Sequence, residues 1–170
     1  MIFSCTKKVQ DKLKKVRPVE ASKEEIGLHN WYVDLINLER KNYFLFTNSL
    51  TLFSFFIYAG TKKELANIEQ LFSDKLKEMI VREVGSGDSL LKAAFSKDLT
   101  ARFIKTNSRS VLGSMNDFKE QIKIQVWHKG ALYKSYDLIN HLINKVPMSG
   151  IQYDYPRDRM KKELERRAQI

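Results

Sequence analysis

The segment Lys105-Thr106-Asn107-Ser108-Arg109-Ser110 sets two cations, three hydroxyls and one carboxamide at, or just before, the predicted start of a helix. Unpaired amides and the positive end of the helix dipole favour an anion at such a place. A phosphate there would take backbone amides from Ser110 and Val111, and Arg109 would add a bidentate contact. The plainer alternative is a helix capped by Ser108 or Ser110, with Arg109 paired to a carboxylate of the protein. The segment is not a Walker loop, which needs Gly-x-x-x-x-Gly-Lys-Ser/Thr. These six residues are the primary anion-binding candidates.

A second tier surrounds them. Lys7 and Lys8 stand near the N-terminus. Tyr153 and Tyr155 lie in the turn-rich stretch 147–156, where they either pack back on the domain or stack a ligand base. Arg157 opens a charged C-terminal helix. Of the histidines, His29, His128 and His141, no two share the i, i+4 spacing of a helical metal site, so no metal is expected. His128 follows Trp127 near a helix end. A histidine working with Arg109 or a lysine could transfer a proton and stabilise a phosphate without a metal. No nucleophile elbow marks a serine, and spacing leaves Asp34 and Asp154 open to structural or catalytic roles. No catalytic residue and no cofactor is assigned.

The chain's charge bears on these candidates. Its 170 residues carry 30 Lys and Arg against 20 Asp and Glu, a formal net charge of +10. The surplus sits in residues 1–17, 100–134 and 157–170, while the stretches between are close to balanced. If the three converge they make a positive face for phosphate-rich partners; if they scatter they are a solvated surface. The 43% hydrophobic content, with 7 Gly and 3 Pro, excludes collagenous and low-complexity chains. One cysteine, Cys5, cannot form an internal disulfide and reads as a small buried hydrophobe. No secretory signal is recognisable, and the apolar window Leu50–Ala59 is too short to span a bilayer. The expectation is a soluble cytoplasmic protein.

Positioning these groups falls to an α+β domain. Ile2-Phe3-Ser4 reads as a strand, Thr6 as an N-cap, and Val9, Leu13 and Val16 as the apolar stripe of a helix reaching Pro18. Trp31–Leu38, Tyr43–Thr47 and Leu52–Ala59 read as a three-stranded antiparallel meander joined by turns at 39–42 and 48–51. The third strand barely alternates, which predicts that both its faces are covered and that it is central or buried in an oligomer. Thr61-Lys62-Lys63-Glu64 matches a capping box ahead of a helix ended by Gly85. Asp88 caps a shorter helix to Lys97, and Ala101–Lys105 is a further strand. Helices then follow from Ser108–Ser110 to Gly130, from Tyr136 to Pro147, and from Pro156 onward. One domain, 1–170, results, with a basic helical arm at 156–170.

Several segments, taken together in their order, resemble a known family. They are Cys5-Thr6-Lys7-Lys8, Asn30-Trp31-Tyr32, Leu45-Phe46-Thr47-Asn48 with Thr51-Leu52-Phe53, Arg109-Ser110-Val111-Leu112-Gly113-Ser114-Met115-Asn116, and Pro147-Met148 with Tyr155-Pro156. The family is one of small bacterial proteins classed as a domain of unknown function. The resemblance implies a single intracellular domain of bacterial or phage origin and carries over no catalytic residue. The sequence therefore points first to a non-catalytic protein binding an anionic nucleotide-like ligand or nucleic acid. Two alternatives stay open: a protein-interaction module, such as an antitoxin or host-factor inhibitor, in dimeric form or not, and a metal-independent phosphodiesterase or ribonuclease.

Overall fold

The computed structural model describes residues 1–14, 26–60, 65–85, 95, 101–129 and 136–169. In chain order these give strand β1 (Ile2–Cys5), helix α1 (Lys7–Leu13), strands β2 (Asn30–Leu38), β3 (Lys41–Asn48) and β4 (Ser54–Tyr58), helix α2 (Ile68–Val84), strand β5 (Arg102–Lys105), helices α3 (Arg109–Lys129) and α4 (Asp137–Ile143), a 3-10 turn (Ser149–Ile151) and helix α5 (Pro156–Ala168). The capping box at 61–64, Val16 and most of the helix expected from Asp88 to Lys97 lie outside the described residues.

The fold is α+β. The strands form one sheet in the order β4-β3-β2-β1-β5. The meander β2-β3-β4 is antiparallel, as its short connectors require. β1 runs parallel to both its neighbours, β2 and β5, and α1 supplies part of the crossover between β1 and β2. Alternation along each strand divides its side chains between two covered faces. Trp31, Val33, Phe44, Phe46 and Phe55 meet Val9 of α1, Phe72 and Leu76 of α2, and Met160 and Leu164 of α5. Tyr32, Ile36, Leu45 and Phe56 meet Val111, Met115, Phe118 and Ile122 of α3, and Ile139 and Ile143 of α4. Both faces are apolar, so the strands read as nearly continuous hydrophobic runs. Among the described residues no helix is long and apolar enough to cross a membrane.

Two expectations need correction. β4 is not central: it is an edge strand with both faces covered. Its outward backbone is closed by two asparagines four residues apart, Asn140 of α4 and Asn144 at its C-cap. Asn140 Oδ1 accepts from the Phe56 amide at 2.8 Å, and Asn140 Nδ2 donates to the Phe56 carbonyl at 3.2 Å. Asn144 does the same to Ser54, at 2.8 and 2.7 Å. A carboxamide carries one acceptor and a donor pair, so each asparagine stands in for a peptide unit of a missing strand. Thr6 does occupy the N-cap position of α1, but its hydroxyl makes no cap bond and donates to Asp34 Oδ1 at 2.6 Å. α1 ends at Leu13, with Lys14 at φ 48°.

Glu39 and Arg40 join β2 to β3 with φ of 49° and 65°. A two-residue hairpin that follows the strand twist demands positive φ at both positions. Neither residue advertises that conformation, as an Asn-Gly pair would.

Candidate anion-binding site

Parallel pairing brings two of the candidate segments together. Cys5 lies opposite Lys105 in the β1–β5 register, and adjacent strands are about 4.8 Å apart. Lys7 and Lys8 follow Cys5 within three residues, and Arg109 follows Lys105 within four. Lys7, Lys8, Lys105 and Arg109 are all exposed. Lys7 pairs with Asp11 at 2.9 Å in the open, an exposed pair that adds little stability. Among the described residues neither Lys8 nor Arg109 has a carboxylate partner.

The start of α3 is fastened from beneath by one phenol. Tyr32 donates from its hydroxyl to Asn107 Oδ1 at 2.6 Å and accepts the Ser108 amide at 2.9 Å. Ser108 is buried, and its Oγ faces the Val111 amide at 3.4 Å. The Val111 amide therefore has its own cap within the chain, while Ser110 sits exposed in the first turn, where a helix offers no internal acceptor for the amide. Asn107 is a tethering group, and Thr106 is half-buried beside it.

Asp34 lies next to this corner on β2. Its Oδ2 accepts from Lys119 Nζ at 2.7 Å, and its Oδ1 accepts from Thr6 Oγ and from the Leu35 amide. Burial pushes its carboxyl up, but the bonds from Lys119, Thr6 and Leu35 outweigh burial and hold it below the ordinary aspartate range. Asp34 is thus a structural tie between the N-cap of α1, β2 and α3. Sequence reasoning missed both Tyr32 and the Asp34–Lys119 pair. The usable signal was parity: Tyr32 and Asp34 point to one face of β2, leaving polar atoms on a side otherwise filled with Ile36 and Leu38.

The second tier divides. The 3-10 turn packs on the opening turns of α3: a Cβ on Gly150 would sit 3.0 Å from Ser114 Oγ and 3.8 Å from Ser110 Oγ. Tyr153 and Tyr155 follow that turn in the chain, and Arg157 lies in the first turn of α5. Arg157 donates to Asp158 at 3.1 Å. His128 is at the other end of the same helix, about 28 Å from Arg109 at a rise of about 1.5 Å per residue. His141 is held elsewhere, with Nδ1 at 2.6 and 2.5 Å from the two carboxylate oxygens of the buried Glu83 side chain. His29 contacts Arg167. Neither His128 nor His141 joins Arg109. Among the described residues no three His, Cys, Asp or Glu gather to hold a metal. Cys5 is buried, and burial pushes its thiol up to about 12.

A scan against protein-family models matches residues 2–159 to DUF6933, a domain of unknown function. The chain belongs to that family. A search of curated proteins found no match. In this DUF6933 chain, many residues of the distinctive segments do architectural work. Asn48 Oδ1 accepts from the amides of Leu50 and Thr51 and from Thr51 Oγ, while its Nδ2 donates toward the carbonyls of Leu28 and Asn30. Trp31 is fully buried and donates to the Leu28 carbonyl. Met148 enters the core, and Pro156 takes the first turn of α5. The exposed members are Lys7, Lys8, Arg109, Ser110, Gly113, Asn116, Pro147 and Tyr155.

Proposed function

We propose that this protein is a non-catalytic, cytoplasmic binding protein for an anionic, phosphate-bearing partner, a nucleic acid or nucleotide-like ligand, held where β1 and β5 end and α3 begins. The observation that supports the reading is the Cys5–Lys105 register, which brings the segments carrying Lys7, Lys8, Lys105 and Arg109 to one end of the sheet. The acidic groups beside that corner are engaged: Asp34 with Lys119 and Thr6, Asp11 with Lys7. Lys8 and Arg109, which have no carboxylate partner among the described residues, are the groups free to take phosphates.

Calorimetry on nucleic-acid-free protein with a panel of nucleotides and short oligonucleotides tests the reading. Arg109→Ala is expected to weaken binding about tenfold, the loss of one charge-assisted contact, with an unchanged circular dichroism spectrum and Tm. An Arg109→Ala chain that fails to fold, or that binds as wild type does, contradicts it.

A second reading, a protein-interaction module, draws on a different surface. Trp127 is 80% exposed and Ile124 50% exposed, beside a groove of about 350 Å³ lined by Asn37, Leu38, Glu39, Lys123, Val126 and Trp127. Exposed tryptophans are common anchors of interfaces. Salt-insensitive capture of a protein partner, lost in Trp127→Ala and kept in Arg109→Ala, would favour this reading over the first.

A further inference from the structure

Resting on the anion-binding reading above, we propose that the loop Met148–Asp154 presents Tyr153 as a stacking platform for a nucleobase, so that the partner is a base-bearing phosphate rather than a bare polyanion. The loop is rigid for its size. Met148 and Asp154 form an isolated antiparallel bridge, the Tyr153 amide donates to the Met148 carbonyl at 2.9 Å, and the Asp154 amide donates to the Ile151 carbonyl at 3.1 Å. Met148 anchors it in the core, and Gly150 lets it approach Ser114 and Leu52 more closely than a Cβ would allow.

At its tip, Gln152 and Tyr153 adopt φ of 59° and 61°. That left-handed region suits glycine or asparagine and is unfavourable for a bulky aromatic. Tyr153 is 73% exposed, and among the described residues its ring and hydroxyl have no partner. A residue that is costly to the backbone and idle in packing is accounted for by a contact outside the chain. An exposed ring on a braced loop that adjoins the opening turn of an anion-binding helix is what a nucleobase stacks on, because every base has a π-face. The loop meets α3 at Ser110 and Ser114, one residue from Arg109, and Tyr155, 43% exposed, flanks it.

The test compares wild type, Tyr153→Gly and Tyr153→Phe for Tm and for binding of a short oligothymidylate, thymidine monophosphate and inorganic polyphosphate. Tyr153→Gly is expected to raise Tm while weakening oligothymidylate binding about fivefold or more, and Tyr153→Phe to keep wild-type affinity. Polyphosphate binding is expected to be equal in all three. Weakening toward the monophosphate as well identifies a free nucleotide, and weakening toward the oligonucleotide alone identifies a strand; both support the platform. Wild-type oligonucleotide affinity in Tyr153→Gly overturns it, as does an equal loss toward polyphosphate. Binding of polyphosphate in preference to either base-bearing probe overturns the platform and leaves the anion-binding reading standing. A wild-type chain that binds none of the probes overturns both.

Discussion

Asp34 illustrates how a single side chain changes meaning once its neighbours are known. A strand aspartate among basic segments admits a catalytic role, yet both its oxygens are occupied and its side chain is only 8% exposed. Removing one partner of such a pair leaves the other charge poorly solvated. Asp34→Ala is therefore expected to cost about 2–4 kcal/mol in urea unfolding, from the unpaired Lys119 ammonium. The pH dependence follows from the lowered carboxyl. The unfolded chain holds a proton at Asp34 below about pH 4, whereas the folded chain resists it to lower pH. The contribution is thus full above the unfolded value and is lost as pH falls through the folded one. Unfolding curves measured between neutral pH and about pH 3 should show a smaller acid-induced loss in Asp34→Asn than in wild type. Equal losses would mean that the Lys119 and Thr6 contacts do not govern this carboxyl.

At the scale of elements, the edge of β4 carries the clearest energetic consequence. An unpaired edge of Phe55, Phe56 and Ile57 would recruit a second chain, and α4 closes it with Asn140 and Asn144. Replacing both asparagines by alanine leaves the buried amides and carbonyls of Ser54 and Phe56 without partners. The double variant should lose about 2–5 kcal/mol and self-associate with rising concentration, read by urea unfolding and light scattering. A stable, monodisperse variant would show that the carboxamides are dispensable. This device was illegible in the sequence, where Asn140 and Asn144 sit in a helix pattern with no sign of the strand they face. What could be read was local. Aromatic and β-branched runs with short connectors gave the meander, Gly85 stopped α2 in the left-handed region at φ 67°, and Pro156 began α5. The near-absence of alternation in β4 correctly implied two covered faces. It misled on position, because coverage and centrality leave the same trace in composition.

Across the whole molecule the question is where the positive charge is free to act. α5 holds many of its cations in pairs along its surface: Arg166 with Glu163, Lys161 with Glu165, and Lys162 with Asp154 just before the helix. Met160 and Leu164 bury its other side, so the charge of 157–170 is largely answered locally. Lys8 and Arg109 at the β1–β5 corner differ, having no carboxylate partner among the described residues, and only part of that was legible. The segment 105–110 was readable as an anion candidate because its residue types are concentrated in sequence. Its meeting with Lys7 and Lys8 depends on parallel pairing between strands almost 100 residues apart, which linear spacing does not encode. The most direct test of this account is the salt dependence of oligonucleotide binding in wild type, Lys8→Ala, Arg109→Ala and Lys161→Ala. Each phosphate neutralised contributes a slope of about −0.7 to −0.9 in log K against log salt. The account predicts a clearly negative slope that flattens by about one such unit in Lys8→Ala and in Arg109→Ala and stays unchanged in Lys161→Ala. A slope near zero, or one that responds to Lys161 and not to Arg109, would contradict it.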